Sequence, residues 1–331
     1  VQPLLSVGAL GGTIAMTSPV PDVGALPTLD AAELVRGVPQ LAALAAVRHA
    51  SICAKPSASI TVDDVLNALR WARGQVDDGA RGVVLTHGTD TLEETAYLLD
   101  LLWDRPEALV VTGAMRPADA PGTDAPANLL AAANTALAAD ARGRGALVVL
   151  NDEIHLAARV TKTSSTALDA FASPGFGPAG RILEQQVRFA APAPPRPAPL
   201  PPPPPGPVDV ALVEAPLADD GRVVRALLDA GFGALVVDGS GLGHTSAATA
   251  EVLAGAVSQG AVVAVSSRTT RGGTGRVTYG YVGSEMYLRG VGVLLAGELS
   301  GRKARLLLHV LLGAGVAGER LAQAFAERTR V

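Results

Sequence analysis

The sequence predicts an α/β protein with a larger N-terminal and a smaller C-terminal domain. Each is expected to be three-layered, with a mainly parallel sheet between helices. Three observations carry this. At 331 residues the chain is longer than one core usually serves. Short runs apolar on both faces, such as "GVVL" at 82–85 and "ALVV" at 108–111, alternate with segments of helical period. The tract "APAPPRPAPLPPPPPGP" at 191–207 divides the chain. Proline at that density favours polyproline II and makes a semi-rigid spacer. The expected boundaries are 1–190, 191–207 and 208–331.

Taken in order, "PLLSVGAL" reads as a buried strand ending in the glycine turn "GGT", and "SIC" at 51–53 lies in a second strand. "TVDDVLNALRWA" follows, with Thr61 as N-cap and Val62, Val65, Leu66 and Leu69 at i, i+3, i+4, i+7. "GVVLTH" is a strand, and Thr91 with Glu94 three residues on predicts a capping box for the next helix. "ALVVTG" and "GALVVL" are strands flanking the helix "APANLLAAANTALAA". The second domain repeats the pattern: strands "VDVALVEA", "GALVVDG" and "AVVAVSS", helices "GRVVRALLDAG" and "SAATAEVLAGAV", then closing helices "GRKARLLLHVLL" and "AGERLAQAFAERT".

Composition excludes several function classes. Net charge is −4 with no long basic run, which argues against nucleic acid and anionic membranes as partners. One cysteine, Cys53, cannot form an intramolecular disulfide, and the five histidines lack metal-ligand spacing, so neither metal nor cofactor is expected. No apolar run is long enough to span a membrane. The start "VQPLLSVGAL" lacks a basic n-region, so a cytoplasmic protein is expected. Of 27 basic residues only Lys55, Lys162 and Lys303 are lysine. A lysine in so arginine-rich a chain raises the question of whether an amine that can lose its proton is needed.

In open parallel sheets, ligands bind beyond the carboxyl ends of the strands. Polar residues gather there, at Gly11–Gly12–Thr13, Thr86 to Asp90, Thr112 to Pro117, Asn151–Asp152 and Asp238 to His244. Singly, each has a plain structural reading: Thr13 and Thr89 as helix caps, His87 as a satisfied strand-end residue, Lys162 as a surface charge, the tyrosines near 281 and 287 as packing residues. Jointly they suggest chemistry. A hydroxyl attacks only when a base takes its proton, a lysine can be that base, and a carboxylate can orient both. A glycine turn can aim backbone N–H groups at a developing oxyanion.

"GGTIA" at 11–15, "THGTDTLEETAYLLDL" at 86–101, "VTGAMRP" at 111–117, "DAPANL" at 124–129 and "RVTKTSST" at 159–166 resemble the bacterial-type L-asparaginases in order and spacing across nearly the whole chain. The resemblance implies hydrolysis of L-asparagine to aspartate and ammonia on a two-domain α/β fold. It implies Thr13 as the nucleophile, with Thr89, Asp90 and Lys162 as the second catalytic group. Which threonine attacks first stays open. It also implies substrate contacts from Ser57, Gly88, Thr89, Asp90 and Ala114. Glu285, upstream of Lys303 in "GRKAR", matches an acid that reaches a neighbouring subunit's site, and His244 stands where relatives often have asparagine. A homodimer, or a tetramer of such dimers, is therefore expected.

The chain departs from the family in three places. The stretch "MTSPVPDVGALPTLD" at 16–30 contains no tyrosine where relatives carry one, Ala58 follows Ser57 where a polar side chain is common, and 269–288 is unusually glycine-rich. The absent phenol raises the expectation that Tyr281 or Tyr287 supplies one in trans. Two other readings compete. One is the glutaminase subunit of a tRNA-dependent amidotransferase, which is expected to carry an additional N-terminal module. The other is a non-catalytic amino-acid sensor on the same fold.

Overall fold

The computed structural model describes residues 2–18 and 24–329. They form two compact units, Val1–Pro199 and Leu200–Val331. In the first, an eight-stranded sheet runs in the order Gln186–Phe189, Gly180–Leu183, Glu153–Leu156, Ala146–Leu150, Ala108–Thr112, Gly82–Thr86, Leu4–Ala9, Ala46–Ser51. The five strands from Ala146–Leu150 to Ala46–Ser51 are parallel. The other three join by antiparallel pairing. This extension was not read from the sequence, because its strands are short and half-exposed.

The central strands are buried at every position, as their unbroken apolar runs require. With aromatics at 3% of the chain, the core closes by close approach rather than by bulk. Helix Ala125–Leu137 lays Leu129, Ala132, Ala133 and Ala136 against Val84, Val110 and Leu147. A Cβ on Gly82 would collide with the Ala136 carbonyl, so glycine in the strand and alanine in the helix set this layer spacing.

Three local expectations change. The strand near "SIC" lies upstream, at Ala46–Ser51, and is an exposed edge strand. Thr61 caps its helix in a full capping box with Asp64, but Thr91 makes no capping bond. Its hydroxyl donates instead to the Ser57 carbonyl at 2.8 Å, a tertiary partner that the local pattern cannot reveal. Asn151–Asp152 is the tight turn of an antiparallel hairpin, with φ of 50° and 58°, the left-handed geometry such turns demand.

The second unit holds a four-stranded parallel sheet: Val210–Glu214, Ala234–Gly239, Val262–Ser267, Leu294–Leu295. Helices Arg222–Asp229, Ala247–Ser258, Gly301–Gly313 and Gly318–Arg328 accompany it. Leu235, Val237, Val263, Val265, Leu253 and Leu288 form its core. The proline tract contains no helix or strand. Near its start Arg144 donates to the Ala191 carbonyl, and Arg196 pairs with Asp100 at 2.9 Å, both in the first unit. In the second unit Pro203 packs against Gly313.

Candidate active site

In the first unit, three loops at the carboxyl ends of adjacent parallel strands converge. Strand Leu4–Ala9 delivers Gly11–Gly12 and the single turn Thr13–Ala15. Both glycines have positive φ, 97° and 84°, which side chains rarely tolerate. A Cβ on Gly12 would collide with the Gly88 backbone, and one on Gly11 would lie 2.7 Å from the Lys55 backbone. The motif therefore needs glycine to bring Thr13 up against the second loop. Among the described residues the Thr13 hydroxyl has no hydrogen-bond partner.

Strand Gly82–Thr86 delivers His87 to Asp90. His87 is fully buried; its Nδ1 donates to the Gly88 carbonyl at 2.7 Å and its Nε2 meets the Thr95 hydroxyl at 3.0 Å. Burial drives the imidazole down to about 4, against the opposing pull of the Gly88 carbonyl. A neutral ring with Nδ1–H leaves Nε2 to accept from Thr95. His87 is thus a fixed brace beneath the loop, as its plain structural reading holds.

Above it, Lys162 Nζ donates to Thr89 Oγ1 at 2.9 Å and to Asp90 Oδ1 at 2.7 Å. Thr89 is buried, while the Asp90 side chain is 69% exposed and that of Lys162 only 15%. Lys162 ends the short strand Thr161–Lys162, paired with Phe171–Ala172. The buried Glu93 carboxylate accepts the Lys162 N–H at 2.8 Å and fixes that strand to the helix following Thr89. The other lysines serve differently: Lys55 pairs with Asp64 at 2.7 Å, and Lys303 is buried within helix Gly301–Gly313.

Ser57 is buried beside Gly88, and its Oγ accepts the Asp90 N–H at 3.3 Å. Gly113 lies against His87 and Thr89, which places the buried Ala114 at the same cluster. That third loop is held by "DAPANL". Asp124 accepts from the Met115 and Arg116 N–H groups, and Asn128 Nδ2 donates to the Gly113 carbonyl at 3.0 Å. The positioning roles of Glu93, Asp124 and Asn128 were not read from the sequence. The i, i+4 pair Asp124 and Asn128 at a helix start was the available signal.

Glu285, His244, Tyr281 and Tyr287 lie in the second unit. The Glu285 carboxylate is fully buried, accepting from the Thr278 and Tyr279 N–H groups at 2.6 and 2.7 Å and meeting His244 Nε2 at 2.9 Å. Burial raises its pKa, but the Tyr279, Glu285 and Thr278 N–H groups and the His244 ring outweigh that and hold it below the usual range. His244 Nδ1 meets the Tyr281 hydroxyl at 2.8 Å. Tyr287 instead packs its ring against the core of the unit.

Two family models cover the chain: the asparaginase N-terminal domain matches residues 5–195, and the glutaminase/asparaginase C-terminal domain matches 209–325. The chain belongs to the asparaginase family. A probable periplasmic L-asparaginase of Haemophilus influenzae is 34% identical over 94% of this chain and 88% of its own length. L-asparaginase 2 of Escherichia coli is 32% identical over 94% and 89%. The crystal structure of a probable cytoplasmic L-asparaginase from Campylobacter jejuni superposes with a TM-score of 0.88 at 30% identity, covering 98% of this chain and all of the other. The two-domain α/β architecture is therefore that of the family. By their names the asparaginase relatives include periplasmic and cytoplasmic proteins. Among the described residues no helix is long and apolar enough to cross a membrane, and no cluster of side chains could hold a metal ion.

Proposed function

We propose that this enzyme hydrolyses L-asparagine to L-aspartate and ammonia, with Thr13 as the nucleophile. Family membership and the names of its relatives support the reaction. The observation that carries the mechanism is the convergence of the Thr13 turn on a loop whose Thr89, Asp90 and Lys162 are already hydrogen-bonded.

Asparagine brings an ammonium, a carboxylate and a reacting amide. Asp90, exposed yet anchored on Lys162, suits the ammonium. Ser57 Oγ accepts from Asp90 and keeps its own proton to donate to the carboxylate. The Gly88 and Ala114 loops wall the cleft. Thr13 Oγ attacks the amide carbon, and N–H groups of the glycine turn stabilise the oxyanion. Ammonia leaves, and water hydrolyses the resulting ester. Lys162 donates to Thr89 at rest; once the amine gives up a proton, the bond reverses and Thr89 becomes the donor, making the pair a proton store for either half-reaction. A neighbouring copy in a dimer or tetramer brings the Glu285–His244 pair to the site together with the phenol of Tyr281, since Tyr287 packs against the core of its own unit.

Ammonia release from asparagine by the purified protein tests the reading. Activity in the wild type that vanishes in Thr13→Ala is expected. A wild type that binds asparagine without turnover would establish the sensor instead.

A further inference from the structure

Outside the first-unit cluster, one constellation stands out. Val277, Tyr279, Tyr281, Val282 and Met286 are between 40% and 72% exposed, an unusual concentration of apolar surface on one stretch. At its centre a chain of three polar side chains runs outward from a buried carboxylate. Glu285 Oε1 already accepts two backbone N–H groups, and Oε2 faces His244 Nε2 at 2.9 Å. A carboxylate can only accept, so Nε2 must carry a proton. In the neutral ring Nδ1 is then an acceptor, and the Tyr281 O–H donates to it at 2.8 Å. Tyr279 stands edge-on to the ring with centroids 5.2 Å apart and limits its rotation. The hydrogen-bond direction is thus set from the buried end, and the phenol oxygen is left with its lone pairs facing outward. Acid, imidazole and hydroxyl follow the logic of the serine-hydrolase triad, with a phenol in the nucleophile's place.

Among the described residues Thr13 has no partner for its hydroxyl proton. The stretch 16–30 supplies no phenol, imidazole or amine, although residues 19–23 of it lie outside the described ones.

We propose that Tyr281, His244 and Glu285 form a proton relay that serves Thr13 in the active site of a second copy of this chain. The proposal rests on Thr13 being the nucleophile. As Thr13 Oγ bonds to the amide carbon, its proton passes to Tyr281 Oη while the phenol's own proton moves to His244 Nδ1. The carbonyl π pair goes to the oxyanion, and Glu285 stabilises the imidazolium. When the intermediate collapses, the C–N bond pair leaves with the nitrogen, which takes the proton back through Tyr281. His244 returns to neutral, and the phenol never has to ionise alone. Tyr281 is the catalytic residue; His244 and Glu285 position and support it.

The test compares Tyr281→Phe and His244→Asn with wild type, assembly being checked by light scattering. The Phe variant is expected to lose ~10²–10⁴ in kcat with little change in KM, the range of general acid–base catalysis. The Asn variant should lose less, since the phenol survives. With the β-hydroxamate of aspartate, whose leaving hydroxylamine is far less basic than ammonia, both losses should shrink; a purely structural defect would treat the two substrates alike. Mixed oligomers of Thr13→Ala and Tyr281→Phe should regain activity, because one site then has both groups. Full activity of Tyr281→Phe, or mixed oligomers that stay inactive, would overturn the relay in trans. A wild type inactive on asparagine would overturn the hydrolase reading itself, a separate result.

Discussion

Each unit gathers a carboxylate, a basic nitrogen and a hydroxyl, and the two arrange them in opposite order of depth. In the first, the hydroxyl of Thr89 is buried and the Asp90 carboxylate is outermost, 69% exposed. In the second, the Glu285 carboxylate is fully buried and the Tyr281 hydroxyl is outermost. A carboxylate left in the open can receive a ligand's positive charge. A carboxylate sealed under backbone N–H groups cannot, and instead sets the direction of the groups stacked above it. In the proposed mechanism this difference suits the first set to binding and proton storage and the second to presenting a phenol.

The comparison breaks most sharply at Lys162. Lys162→Met should lower kcat by ~10²–10⁴ without unfolding the protein, as expected for a group in proton transfer. Lys162→Arg should fail as well, because a guanidinium keeps its charge and cannot turn its bond to Thr89 around. Steady-state kinetics on folded variants checks this. Near-normal kcat in the arginine variant would reduce Lys162 to an electrostatic brace.

The next effect concerns the approach of the two loops. Gly12 has a φ of 84° and no space for a Cβ against Gly88. Gly12→Ala must push the Thr13 turn away from Thr89, and a displacement of about 1 Å can cost ~10²-fold in rate. The expected signature is a fall in kcat that exceeds any loss in thermal stability. Gly24→Ala, also at positive φ but with open space around it, should not share it.

These loops also mark where the sequence was legible. Central strands and their helices were readable because burial on both faces leaves unbroken apolar runs. The Thr89–Asp90–Lys162 set was picked out through motifs that resemble the family's, and the structure joins the three by hydrogen bonds from Lys162. Glu93, Asp124 and Asn128 were not, since their work is to hold backbone N–H and C=O groups that become neighbours only after folding. The same holds for Thr91, whose local capping pattern loses to a partner 34 residues away. The Tyr281–His244 bond joins positions 37 residues apart; its glycine-rich stretch has no period to place it on a face.

A smaller effect lies beneath the first set. Burial lowers His87 from its ordinary 6.5 to about 4. Below pH 6.5 the unfolded chain takes up a proton that the folded one refuses, so stability falls as pH drops through the window from 6.5 to 4. At pH 5 the loss from this group is about 2 kcal/mol relative to pH 7. Urea unfolding of wild type and His87→Gln at both values isolates it, because other groups contribute equally to the two proteins. An unchanged difference between them would show that the ring takes up its proton in the folded state near its ordinary value.

The smallest effect tests how the cleft reads its substrate. Glutamine is one methylene longer than asparagine, and a methylene is usually worth about 1–3 kcal/mol of discrimination. With asparagine bound as proposed, a longer side chain held at its amide would shift its ammonium and carboxylate outward, towards the residue after Ser57. There the exposed Ala58 offers no polar group to meet them. Asp90 cannot follow, because Lys162 and the Ser57 hydroxyl hold its carboxylate and its N–H. A kcat/KM for asparagine roughly tenfold or more above that for glutamine is therefore expected. Ala58→Gln should narrow the ratio by improving glutamine alone, since a side chain at the rim reaches only the displaced end. Comparable values for the two amides in the wild type would mean that the cleft adapts to length, and that the anchoring of Asp90 by Lys162 is not what fixes the substrate's position.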